Sequence, residues 1–131
     1  MPQQNQKLTE RELIELAVRL AASSKSEDDK RIHPQVGAVV SRDGHVLSTG
    51  YRGERYEGAH AEESALLKLN VDETIGATVY STLEPCTTRG KTPSSLLLIQ
   101  RGITRLVYGI STRILIFAAK VNGCWRNMLL R

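Results

Sequence analysis

Cysteine is scarce in this chain: Cys86 and Cys124 are the only two among 131 residues, and they stand far apart. Such a pair builds no disulfide framework, so nothing points to an oxidising compartment. Aromatic residues make up 5% of the sequence, too few for the stacked platforms on which proteins lay single-stranded nucleic acid. No apolar run approaches the roughly 20 residues of a membrane span, and the polar start Met-Pro-Gln-Gln-Asn-Gln-Lys lacks the apolar centre of a signal peptide. A cytoplasmic protein without membrane contact is expected. Acidic residues are missing from the tail, and this accounts for the net charge of +4. Residues 1–110 hold fourteen Lys and Arg against fourteen Asp and Glu, and the excess is Arg113, Lys120, Arg126 and Arg131. A basic face on the body of the protein is therefore not indicated, and a nucleic-acid partner is not expected. Internal repeats and low-complexity stretches are absent too, and the length suits a single domain over 1–131 with its own core.

Against that background the periodicities are clear. Thr9 with Glu10 and Glu12 makes a capped, acid-first helix start, and Leu13, Ile14, Ala17, Val18, Leu20 and Ala21 follow as an apolar stripe, predicting a helix over about 9–23. Val36 to Ser41 and Val46 to Gly50 read as strands joined by the hairpin pair Asp43-Gly44. Ala61, Ala65, Leu66 and Leu69 predict a helix from His60 to about Asn70, and Ala77 to Leu83 a third strand. Thr92-Pro93-Ser94 opens another helix that Gly102 would close, and Thr104 to Ile110 is a fourth strand. Two strands joined through a helix should lie parallel by a right-handed crossover. The expected fold is α/β, a three-layer α/β/α sandwich on a mixed β-sheet. Ile114 to Ala119 fits strand or helix equally well.

Two short reactive runs bracket the middle of the chain: His60-Ala61-Glu62 at a helix start, and Glu84-Pro85-Cys86 after a strand. An imidazole and a thiolate are ordinary zinc donors, and a carboxylate two residues from the His can move protons for an activated water. Singly, each residue has a plain explanation: a capping His, a buried Cys, an acid favoured by the helix dipole. Together they match the H-x-E half of the signature of zinc-dependent base deaminases, in which the glutamate is not a ligand; in its second half, P-C-x-x-C, Arg89 stands where the last Cys is expected. His60 and Cys86 are thus the candidate Zn2+ ligands and Glu62 the candidate catalytic acid and base.

The sequence resembles the cytidine deaminase-like superfamily, nearest to the diaminopyrimidine deaminase domain of riboflavin biosynthesis. The resemblance rests on His33-Pro34-Gln35-Val36-Gly37-Ala38-Val39-Val40, Gly50-Tyr51, His60-Ala61-Glu62, Gly76-Ala77-Thr78-Val79-Tyr80, Thr82-Leu83-Glu84-Pro85-Cys86, Gly90-Lys91-Thr92-Pro93 and Arg101-Gly102-Ile103, and covers nearly all of 8–110. It implies a zinc-dependent deaminase of a pyrimidine-type base or nucleotide that self-associates. His33, Gly37 and Ala38 would line the base pocket, and Arg89, Lys91 and Thr92 would lie in the loop that contacts substrate.

The chain departs from that pattern in three places. Ser95 stands nine residues after Cys86, where riboflavin-type enzymes carry their second zinc Cys, and a hydroxyl is a poorer zinc donor than a thiolate. This leaves open an alternative, a catalytically impaired protein of the same fold that serves in binding or assembly. His33 replaces an Asn of those enzymes. The tail, 111–131, lacks the family's Asp-Pro-Asn and glycine-rich continuation. Codons for Arg113 through Asn127 can be chosen so that a shifted frame reads Asp-Pro-Asn-Phe-Arg-Gly-Gln-Gly-Gln-Trp-Met-Leu-Ala-Glu-Tyr, so the tail is expected to derive from a frameshift relative to such proteins.

Overall fold

A computed structural model describes residues 6–25, 34–82, 97–98 and 100–108, and the backbone of 115–121 and 124–129. Helix α1 spans Glu10–Ala21, inside the expected 9–23 because Thr9 is its N-cap rather than its first turn. The Thr9 hydroxyl accepts from the Glu12 N–H at 3.1 Å and the Glu12 carboxylate accepts from the Thr9 N–H at 3.0 Å, a reciprocal capping box. Strands β1 (Gly37–Arg42) and β2 (His45–Tyr51) form the expected hairpin. Its two turn residues, Asp43 and Gly44, both take positive φ (52° and 83°), as a two-residue type I′ turn requires.

The second helix is shorter than its apolar spacing suggests. α2 spans Ala61–Leu66, and a separate turn, α3, covers Val71–Thr74. The break falls where the Glu73 carboxylate accepts from the Asn70 N–H at 3.0 Å, starting a new helix instead of extending the old one. β3 (Thr78–Ser81) and β4 (Arg105–Tyr108) follow, with Leu97, Leu98 and Gln100 helical between them. The tail adds two strands, β5 (Leu115–Val121) and β6 (Cys124–Leu129), which decides the strand-or-helix question in favour of strand.

The six strands form one mixed sheet in the order β2-β1-β3-β4-β5-β6. β3 and β4 are parallel, as the crossover argument requires, and the other pairs are antiparallel. The pleat sends alternate residues to opposite faces. Val39, Tyr80 and Val107 pack with Leu13 and Ala17 of α1 on one side. Ala38, Val40, Val79 and Leu106 pack with Ala61, Ala65, Leu66 and Leu98 on the other. Helix, sheet and helix are the three expected layers. Each fully buried Leu or Val contributes about 1.5–3 kcal/mol to holding them together.

One buried phenol ties α1 to the sheet. Tyr80, 3% exposed, donates to Glu10 Oε1 at 3.3 Å, and Arg105 pairs with the same carboxylate. Burial first, then the Glu10 charge, push the Tyr80 pKa from 10.0 up to about 12, against the lowering effect of Arg105. The fold therefore favours neutral Tyr80: its contribution is complete below pH 10 and is lost as the pH rises through 12. In denaturant melts across that alkaline range, Tyr80→Phe is expected to lose stability less steeply than the parent protein. Equal slopes would mean that Tyr80 does not govern alkaline unfolding.

Candidate active site

The expected proton carrier lies at one end of the sheet, beneath α2. His60 is the N-cap of α2, with extended backbone (φ −71°, ψ 146°), and its ring makes no capping hydrogen bond. Two residues on, in the first helical turn, Glu62 is 2% exposed. Burying a carboxylate is costly unless hydrogen bonds replace its water. One such bond comes from Ser81, whose Oγ donates to Glu62 Oε1 at 2.7 Å. The neighbouring acid, Glu63, goes the other way. It accepts from Tyr56 Oη at 3.1 Å and pairs with Arg55 at 3.4 Å near the surface. Of two consecutive acids the helix thus takes one inward and leaves one outward.

Glycines set the depth of that placement. At Gly50 of β2 a Cβ would run into the Ala61 carbonyl oxygen and lie 2.6 Å from the Ala65 backbone nitrogen. α2 therefore rests directly on the strand. Ser48 of the same strand donates to the Ala65 carbonyl at 2.7 Å and fixes the helix along it. On the opposite face, a Cβ at Gly37 would run into the Ala17 carbonyl oxygen of α1.

These contacts locate the other expected residues. Ala38 is fully buried under α2, in one cluster with Ala61, and is the register partner of both Gly50 and Ser81. His60, Glu62 and Ala38 are therefore gathered at one end of the sheet. Gly37 is next to Ala38 but turns its missing side chain toward α1; its N–H donates to Thr82 Oγ1 at 3.1 Å. The remaining candidates, Cys86, Ser95, His33, Arg89, Lys91 and Thr92, lie outside the described residues. A cleft of about 350 Å³ opens at the other end of the strands, between Lys7, Glu10, Ser41, Thr78 and Arg105, and takes none of the site residues.

Ser81 is the site residue that sequence reasoning missed. It reads as one more position of a β run. The available signal was a small hydroxyl residue following Val79 and Tyr80 in a central strand, just upstream of Glu84-Pro85-Cys86.

A parallel crossover between β3 and β4, helices on both faces and a buried glutamate two residues after a helix-capping histidine together define a deaminase-like α/β domain. Residues 8–110 match the model of the cytidine and deoxycytidylate deaminase zinc-binding region, and the chain belongs to that family. Riboflavin biosynthesis protein RibD of Actinobacillus pleuropneumoniae is 45% identical over 80 residues, 60% of this chain and 21% of that protein. Deoxycytidylate deaminase of Mycobacterium phage D29 is 33% identical over 122 residues, 71% of this chain and 89% of the phage protein. Among solved structures, the diaminohydroxyphosphoribosylaminopyrimidine deaminase/reductase of Thermotoga maritima superposes with a TM-score of 0.63 at 33% identity, over 78% of this chain and 30% of that one. The chain spans 20–26% of the length of four riboflavin-pathway relatives, three bacterial and one from yeast. No helix among the described residues is long and apolar enough to cross a membrane.

Proposed function

We propose that this chain is a zinc-dependent hydrolytic deaminase of a pyrimidine-type base or nucleotide. The observation that carries the reading is Glu62: a carboxylate 2% exposed, hydrogen-bonded at 2.7 Å, on the first turn of the helix that His60 caps. The reaction adds the oxygen of water to the ring carbon that bears the amino group. The C–N bond then breaks, ammonia leaves and a carbonyl remains. Glu62 takes the two protons of the water in turn, passing the first to the ring nitrogen and the second, released as the carbonyl forms, to the departing amino group.

The donors fit zinc at two positions. His60 supplies an imidazole from a ring not spent on capping, and Cys86 would supply a thiolate. The third protein position of the riboflavin-type pattern is Ser95, so its hydroxyl or a water would complete the set. Zinc, when bound, supplies the Lewis acidity that makes a water acidic near neutral pH. His33 and Ala38 are assigned to the base pocket, with Gly37 contributing backbone only because its Cα hydrogen faces α1, and Arg89, Lys91 and Thr92 to the loop that contacts substrate. Self-association and a cytoplasmic setting, where free nucleotides are handled, belong to the same proposal. Ser95 favours a second reading, in which the fold has kept its binding surface and lost catalysis.

Zinc per chain in protein purified without added metal, followed by ammonia release from dCMP and from the diaminopyrimidine nucleotide of riboflavin synthesis, tests the proposal. About one zinc with release from either compound is expected. Ser95→Cys is expected to raise zinc affinity by at least tenfold, because a thiolate adds charge as well as a soft donor. A metal-loaded protein that releases no ammonia from either compound would favour the second reading.

A further inference from the structure

We propose that Ser81 is a positioning residue for Glu62, holding one carboxylate oxygen so that the other exchanges protons with water and substrate. The inference rests on the deaminase reading for its catalytic meaning and on geometry for its substance. Ser81 Oγ donates to Glu62 Oε1 at 2.7 Å, and both residues are nearly sealed from solvent, at 4% and 2% exposure. An O–H···O distance of 2.7 Å is that of a well-formed hydrogen bond.

The two partners are also fixed independently of each other. Ser81 closes β3, a strand paired on both sides, with Ala38 opposite it on β1 and Tyr108 on β4. Glu62 is carried by a helix that rests on Gly50 and is tied through Ala65 to Ser48. Neither element can follow the other if the bond is lost. A glutamate has three side-chain torsions, and anchoring Oε1 restricts all of them. The bond also makes the two oxygens inequivalent. Oε1 accepts from a hydroxyl carried on a strand paired on both sides, which leaves the contact with water and substrate to Oε2. A relay that collects a proton at one point and delivers it at another depends on such a fixed orientation.

If Ser81 only satisfied a buried acid, its removal would act on stability. Positioning predicts a different pattern. Ser81→Ala removes the donor, Ser81→Cys keeps nearly the same volume with a weak donor, and Ser81→Thr keeps the hydroxyl. In steady-state deamination of dCMP, or of the diaminopyrimidine nucleotide if that is the compound turned over, Ala and Cys are expected to lower kcat about tenfold with KM within twofold, and Thr to restore it. An activity-independent readout is the side-chain carboxyl 13C resonance of Glu62 in protein labelled with [5-13C]glutamate, at one fixed pH and assigned by its loss in Glu62→Gln. It is expected to move in the Ala and Cys variants and to return in Thr. Unchanged kcat in Ala and Cys, equal losses in Thr, or an unmoved resonance would overturn the proposal. A wild-type protein that turns over neither compound would instead count against the deaminase reading, and the resonance alone would then decide Ser81.

Discussion

Glu62→Gln is expected to lower kcat for deamination by about 10³- to 10⁴-fold while leaving the fold and the zinc content unchanged. The amide is nearly the same size as the carboxylate, and its carbonyl oxygen can still accept from Ser81 Oγ, which lies 2.7 Å from Glu62 Oε1. The buried position therefore stays satisfied, and a large loss of melting temperature is not expected. What disappears is the ability to gain and give up a proton, and general acid–base catalysis of this kind contributes about 10²- to 10⁴-fold. The upper part of that range applies because a single residue would serve both the water and the departing ammonia. Ammonia release under saturating substrate, with zinc quantified on the same samples, checks the outcome. Zinc lost in proportion to activity would make Glu62 a ligand; a loss of less than tenfold would remove it from the proton path.

This fold was legible wherever local chemistry agrees with tertiary packing. Thr9 and Glu12 announce α1 through side chains that cap it in the structure, and Asp43-Gly44 announces a turn whose two positive φ angles those residues tolerate best. The parallel pairing of β3 and β4 followed from connectivity alone. α3 is hidden in the sequence, although Asn70 and Glu73 carry the spacing of a capping box, because the apolar run up to Leu69 masks the restart. The strand character of the tail was equally open to reading: Asn122-Gly123, between β5 and β6 in the sequence, is among the strongest hairpin pairs.

The site divides along the same line. His60 and Glu62 sit two residues apart on one element, so their relation is local and visible in sequence. Ser81 meets Glu62 across nineteen residues, through the docking of a helix on a strand, and no local pattern encodes that distance. Gly37 and Gly50 are similar: each is required by a helix backbone resting on it, which only the assembled layers reveal.

Gly50→Ala is expected to damage the fold and the site together. The new methyl carbon would meet the Ala61 carbonyl oxygen, lie 2.6 Å from the Ala65 nitrogen and 3.0 Å from the Ser64 Cβ. Two of these three are backbone atoms of α2, so no side chain can swing aside. Either α2 lifts or β2 bends. A cost of about 3 kcal/mol, at the upper end for overpacking, corresponds to a drop of roughly 10 °C in melting temperature for a chain of this size. Lifting α2 also carries Glu62 away from Ser81, so kcat should fall by more than the unfolded fraction explains. Gly76→Ala is the matched comparison. Gly76 has φ of 78°, but a methyl group there would meet nothing within 4 Å, so its cost is confined to backbone strain of about 1 kcal/mol. Thermal melts of the two variants, with kcat measured well below both transitions, separate the effects. If Gly50→Ala melts no lower than Gly76→Ala, α2 does not bear on β2 as closely as the structure has it. If it melts lower yet keeps full kcat at low temperature, the seat of α2 does not control the position of Glu62.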